Sequence, residues 1–280
     1  MQTHQASRPR IRWTSSVLCA LPLLAGCFAY DTTVRLSLDG SGTVEQELVL
    51  TGGMAEMIRY ARTAEEGEVD LCAEQDLGVG VRLVSAVPVE EAERVGCRQV
   101  YAFTDVNTLR LKPDVDKMLP EGSGRGEEAR AASEDPITFR FRAGSPATLV
   151  VRMPEQETGD AEPEVREDAA EREGAAVGNE GEDAAGRAMA LAMMREMLRG
   201  SRFSVHLVLQ GQVVETDATY RDGDRITLVE LDFDTLLEDT ESLERLLDVQ
   251  DPSPEEAKAL LARTPGMKVE TRKEVTVRFQ

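Results

Sequence analysis

Short runs in which apolar and polar residues alternate recur along most of the chain. A period of two admits few folds: it marks half-buried strands of antiparallel sheets with one wet face. Val34, Leu36 and Leu38 alternate with Arg35, Ser37 and Asp39, and Gly40-Ser41-Gly42 then turns the chain into a second strand with Val44, Leu48 and Leu50. The same pattern predicts strands over 79–87, 98–105, 137–143 and 147–153. In the last pair Ile137, Phe139 and Phe141 face Leu149, Val151 and Met153 across a Gly144-Ser145-Pro146 turn. Further along, 203–209, 212–220, 225–233 and 268–279 repeat the style, with Asp222-Gly223 as a tight-turn signal between two of them.

Helical spacing is rarer. Residues 53–66 place Met54, Met57, Ile58 and Ala61 on one face, and Gly67 ends the run. Residues 240–248 align Leu243, Leu246 and Leu247. Ser253-Pro254-Glu255-Glu256 offers a capping serine with proline at the first helical position, predicting a helix to about Arg263. A helix near 186–199 spreads Met189, Leu191, Met193, Met194, Met197 and Leu198 over more than half its circumference. The expected fold class is α+β, a curved antiparallel sheet packed on a few helices. Between 155 and 185 the pattern stops in a stretch rich in Glu, Asp, Ala and Gly. So little apolar surface cannot offset ordering entropy, and the stretch reads as a disordered acidic insert. A smaller loop of the same kind covers 121–135. The insert separates a β-rich part, 27–154, from an α+β part, 186–280, expected to pack on the first.

The N-terminus reads as an export signal. Arg8, Arg10 and Arg12 precede an apolar run from Val17 to Leu24, and no acidic residue occurs before Asp31. The run is too short to span a bilayer as a helix. A basic head, a short apolar core and small residues at a cut describe a secretory signal. Leu24-Ala25-Gly26-Cys27 resembles the lipobox of bacterial lipoproteins, which implies removal of residues 1–26 and acylation of Cys27. The acyl chains, palmitate among them, would then hold the protein to the membrane almost permanently, at ~0.8 kcal/mol per buried methylene. Residue 28 is Phe, not the Asp associated with inner-membrane retention in enteric bacteria. The expected address is therefore the periplasmic face of the outer membrane. Only Phe28, Ala29 and Tyr30 precede the first recognisable strand, a reach of ~13 Å at ~3.3 Å per residue.

Loss of the signal removes three arginines and no carboxylate, taking the formal charge from −20 to −23. Nucleic acid is thereby an improbable partner, since it needs clustered Lys and Arg. Anionic headgroups would repel the body of the domain. Of the four cysteines, Cys19 leaves with the signal and Cys27 takes the lipid. Cys72 and Cys97 remain, and an even pair outside the cytoplasm predicts a disulfide.

Candidate sites are few. Glu230, Asp232 and Asp234 alternate and are expected on one strand face, where a cation is one reading and a solvated face the simpler one. Arg140, Arg142 and Arg152 lie on the polar side of the 137–153 hairpin, open to lipid phosphates, to the acidic insert or simply to solvent. His206, the one histidine left after cleavage, alternates with Val205 and Leu207 and should point away from the core. No GxSxG, Walker loop or HExxH accompanies it, so the sequence predicts no catalytic residue, no cofactor and no metal site. Met189, Met193, Met194 and Met197 would line a lipid or peptide groove if their helix is a gripping element, or fill the core if it is not.

Thr33-Val34-Arg35-Leu36-Ser37-Leu38-Asp39-Gly40-Ser41-Gly42-Thr43-Val44, so soon after Cys27, together with Gly211-Gln212-Val213-Val214-Glu215-Thr216-Asp217-Ala218, resembles the LppM-type lipoproteins of mycobacteria. The resemblance spans about half of the mature chain. It implies an α+β domain whose curved antiparallel sheet grips a helix, with lipid binding and no enzymatic activity. The acidic insert and the C-terminal helices depart from that pattern, and no functional residue carries over. Two functions follow. One is a non-enzymatic, membrane-anchored envelope lipoprotein acting through contacts with an envelope protein. The other is a lipid- or amphiphile-binding module with a groove between sheet and Met-rich helix.

Overall fold

The computed structural model describes residues 28–63, 69–112, 135–154, 189, 191–192, 195–196, 198–248 and 254–280. The strands, in chain order, are β1 (Phe28–Leu36), β2 (Gly42–Thr51), β3 (Arg82–Glu91), β4 (Arg94–Phe103), β5 (Arg110–Leu111), β6 (Ile137–Arg142), β7 (Ala147–Arg152) and β8 (Arg202–Leu209). They continue with β9 (Val213–Thr216), β10 (Arg221–Asp222), β11 (Arg225–Asp232), β12 (Met267–Val269) and β13 (Glu274–Phe279). The helices are α1 (Gly52–Thr63), α2 (Phe233–Glu238), α3 (Thr240–Asp248) and α4 (Pro254–Leu261). The architecture is α+β but mostly sheet.

Two sheets share the strands. The larger runs β10-β11-β8-β1-β2-β4-β3, with β12 also paired to β11; the smaller runs β5-β6-β7-β13-β9. Strands from before and after the acidic stretch are interleaved in both: β8 pairs with β1, and β13 pairs with β7. The β1–β8 pair is parallel, Tyr30 beside Phe203 and Val34 beside Leu207, so the larger sheet is mixed rather than purely antiparallel. That corrects the expectation of one curved antiparallel sheet on helices. A parallel pair needs a long crossover, and the chain between Leu36 and Arg202 supplies it.

The inner faces meet in one apolar core. Val34, Leu36, Val44, Leu207, Leu209 and Ile226 come from the larger sheet, and Leu149, Val275, Val277 and Phe279 from the smaller, all with no measurable exposure. Each such side chain contributes ~1.5–3 kcal/mol on burial. The turn between β1 and β2 closes onto the smaller sheet. Gly40 has φ +86°, and a Cβ there would stand 2.8 Å from the Phe141 ring, so only glycine fits.

Several boundaries differ from the sequence expectation. β1 begins at Phe28, six residues before the alternation becomes visible. The 212–220 segment carries only β9, and 268–279 divides into β12 and β13, which belong to different sheets. Phe233 and Asp234 lie in α2 rather than at the end of a strand, because the Asp232 carboxylate accepts from the Thr235 N–H and caps a helix there. The 155–185 stretch and much of 121–135 lie outside the described residues.

Candidate functional site

A row of polar side chains lies on the outer face of the larger sheet, across its central strands. Asp31 of β1 stands beside Ser204 of β8, which stands beside Glu230 of β11 and then Lys268 of β12. Ser204 Oγ donates to Asp31 Oδ2, Thr33 Oγ1 donates to Asp31 Oδ1 at 3.2 Å, and Lys268 Nζ reaches Glu230 Oε1 at 2.9 Å. His206 lies one step along, between Thr33 and Thr227, with its Nε2 3.9 Å from Asp31 Oδ2.

His206 points away from the core, as its alternation indicates, yet it is only 3% exposed. β1 and β11 flank it on both sides. Burial pushes its imidazole below its ordinary pKa, Arg225 acts in the same direction, and Asp31 and Glu230 oppose them without prevailing. Its Nδ1 meets no hydrogen-bond partner among the described residues. Ser, His and Asp are thus together, but in the wrong order for nucleophilic catalysis. A triad places the imidazole between hydroxyl and carboxylate, whereas here Asp31 stands between the other two. Ser204 Oγ directs its hydrogen bond to Asp31 and not to the imidazole.

The inner face carries a second polar row. Thr32, Gln46 and Gln99 are direct neighbours across β1, β2 and β4, and all are buried. Gln46 Nε2 donates to Tyr30 OH at 3.0 Å, while Gln99 Nε2 donates to the carbonyls of Cys72 and Ala73, each at 3.1 Å. Thr32 Oγ1 and Gln46 Oε1 meet no partner among the described residues. Both residues border a narrow void with Tyr30, Leu111, Lys112, Ile137 and Val205. The void has room for a water-sized group and not for an acyl chain.

The Cys72–Cys97 disulfide is formed, with Cα atoms 5.3 Å apart. It fixes the segment before β3 onto β4, where the Gln75 N–H also donates to Tyr101 OH at 3.0 Å. Cys27 lies outside the described residues, as do Met193, Met194 and Met197. Met189 is 69% exposed and fills no core.

The carboxylate row does not exist as expected. Glu230 pairs with Lys268, Asp232 caps α2 and binds Arg202 at 3.0 Å, and Asp234 accepts from the Gly200 N–H at 2.7 Å. The turn into α2 takes Asp234 off the strand face, so the three carboxylates share no site. Among the described residues no cluster of His, Cys, Asp or Glu could hold a metal. Arg140, Arg142 and Arg152 are exposed on the smaller sheet, with Arg152 paired to Glu274 at 3.1 Å.

Sequence reasoning missed Glu270. It is 3% exposed and accepts from the Thr219 N–H at 2.7 Å, Thr219 Oγ1 at 2.9 Å and the Arg272 N–H at 3.0 Å. Its role is to tie the chain between β12 and β13 to the 217–220 loop. It also missed that β3 is an edge strand among the described residues, where Val84 and Val87 are 54% and 55% exposed. Glu91 and Arg94 close a two-residue turn, so the hydrogen-bonded positions of β3 are 91, 89 and 87. Pro88 therefore occupies an outward-facing position, where its missing N–H blunts the edge.

No protein-family model matches the chain, and no curated protein matches it. Among solved structures, the folded domain of the LppM protein of Mycobacterium tuberculosis, determined by NMR, is similar. The similarity covers 90% of each chain at 10% identity, with a TM-score of 0.31. So loose a superposition is a weak structural resemblance. It assigns no activity and no residue roles.

Proposed function

We propose that the chain is a non-enzymatic lipoprotein of the bacterial envelope. It is acylated at Cys27, held at the periplasmic face of the outer membrane, and works through protein contacts close to that surface. The observation that carries this reading is the position of β1. Its first residue, Phe28, directly follows the lipobox cysteine, and the strand is hydrogen-bonded on both sides, to β2 and to β8. An anchor joined to a central strand leaves no linker, so the partner must come to the membrane. The placement of Asp31 between Ser204 and His206 supports a non-enzymatic role, and the apolar edge at β3 offers surface for a protein contact. No helix among the described residues is long and apolar enough to cross a membrane. In cells, the wild-type protein should remain with membranes through high salt. A Cys27→Ser variant should appear unprocessed or soluble and lose acyl label. Undiminished acyl label in that variant refutes the reading.

A second reading, a lipid or amphiphile bound between the sheet and the Met-rich helix, draws on the same stretch. Met189 is exposed and Leu191 and Leu198 are only half-buried, so apolar side chains there remain at the surface. Met194→Gln should abolish retained lipid in native mass spectrometry while changing stability by less than about 1 kcal/mol. Purified domain without retained lipid counts against it.

A further inference from the structure

The anchor end of the larger sheet carries a helix with two apolar side chains exposed on its outer side. Phe28 of β1 is opposite Leu50 of β2, which is opposite Val95 of β4, so Phe28, the end of β2 and the β3–β4 turn share one end. α1 starts at Gly52, two residues beyond Leu50. From Cys27 that is about 15 Å or less along one peptide, one strand pair and two residues.

α1 lies across this end of the sheet. Ala55 is fully buried in the core, with Met54 and Ile58 packed against the same cluster. Further along, Arg59 Nη2 donates to the carbonyls of Glu91 at 2.5 Å and Arg94 at 3.4 Å, which flank the β3–β4 turn. Arg62 then pairs with the Glu90 carboxylate. The helix is thus tied at its start to β2 and near its finish to the turn. Its outer side presents Met57, 47% exposed, and Tyr60, 75% exposed, three residues apart and so on one face, with the Glu56 carboxylate beside them and held by Arg59.

We propose that α1 rests in the bilayer interface as a second membrane contact, with Met57 and Tyr60 entering the headgroup region. The proposal rests on acylation of Cys27. A lipid one residue from Phe28 leaves this end of the domain nowhere to be but at the bilayer. Tyrosine, with an apolar ring and a polar tip, favours that zone, and methionine adapts to it. The anchor raises the local lipid concentration, so even a two-residue contact is populated. Arg59 and Arg62 are engaged by Glu56, Glu90 and backbone carbonyls, and leave little net positive charge on the helix. With a strongly acidic chain behind it, the surface fits a zwitterionic bilayer rather than an anionic one.

The sequence's one Trp is Trp13, within the signal, so a tryptophan placed in the mature chain reports alone. Tyr60→Trp puts it on the outer side of α1. Val79→Trp puts it at the opposite end, where Val79 is 84% exposed just before β3. Both acylated proteins would be reconstituted into phosphatidylethanolamine–phosphatidylcholine vesicles whose acyl chains are brominated near the headgroup. The Tyr60→Trp probe should shift to the blue on vesicle binding and lose at least half its emission to the bromines. The Val79→Trp probe should do neither. Equal quenching of the two, or no quenching in proteins that float with the vesicles, overturns the proposal. So does a blue-shifted Tyr60→Trp probe that bromines do not quench, which would mean that protein covers the face. Protein that neither floats nor carries an acyl mass instead overturns the Cys27 reading beneath it.

Discussion

Replacing Cys72 and Cys97 together by alanine removes the cross-link between the segment before β3 and the middle of β4. The bond closes a loop with a sequence separation of 25. On the chain-entropy account, releasing a loop of that length stabilises the unfolded state by about 3.5 kcal/mol at 25 °C. The native side should change little. Gln99 still donates to the carbonyls at 72 and 73, and the Gln75 N–H still reaches Tyr101 OH. Cys97 is 2% exposed, so its truncation adds a small cavity term of the same sign. The domain should therefore lose roughly 3–4 kcal/mol while keeping its far-UV circular dichroism. That is a fall of more than about 1 M in the urea midpoint, or about 10 °C in Tm for a domain of this size. Urea unfolding of the soluble domain, wild type against the double variant, measures it. A loss below about 1 kcal/mol with the fold intact would show that the polar contacts alone hold this segment and that the unfolded chain gains nothing from release.

Two further outcomes follow from the geometry. Burial holds His206 below its ordinary pKa, so the unfolded chain takes up a proton there before the folded one does. The resulting loss of stability sets in as pH falls through ~6.5 and is absent above it. His206→Gln should therefore flatten the stability difference between pH 7.5 and 5.5 in urea titrations, and an unchanged slope contradicts the assignment. Pro88→Thr restores an outward N–H to the free edge of β3 and should make the soluble domain associate with concentration in light scattering; a strictly monomeric variant would show that another device protects that edge.

The hairpins were legible because each is local. The 34–50 alternation, the 137–153 pair and the Asp222-Gly223 turn each carry register and closure within a few residues. What joins them is not local. β1 pairs with β8 across more than 160 residues of intervening sequence, and periodicity in one strand cannot name a partner that distant. The same limit hid the burial of His206. Alternation shows which way a side chain points, whereas burial on the outer face depends on whether its strand is central or at an edge. The start of β1 was obscured because Asp31, Thr32 and Thr33 break the alternation, with threonines buried on both faces. The start of α2 is hidden because Phe233 and Asp234 continue the two-residue period of the strand; the Asp232 cap that overrides it shows only in the Thr235 hydrogen bond. The cysteine pairing was legible by count. Glu270 was not, since a lone glutamate carries no sign of the three donors that will surround it.

The anchor on which the functional account depends is open to a direct measurement: the mass of the N-terminal proteolytic peptide of the protein extracted from membranes of cells that make it. The account predicts a peptide beginning at Cys27 that carries diacylglycerol, with a further acyl chain on its amino group where the host adds one, and no peptide from residues 1–26. A peptide with an unmodified Cys27, or one that continues upstream through Gly26, would contradict it.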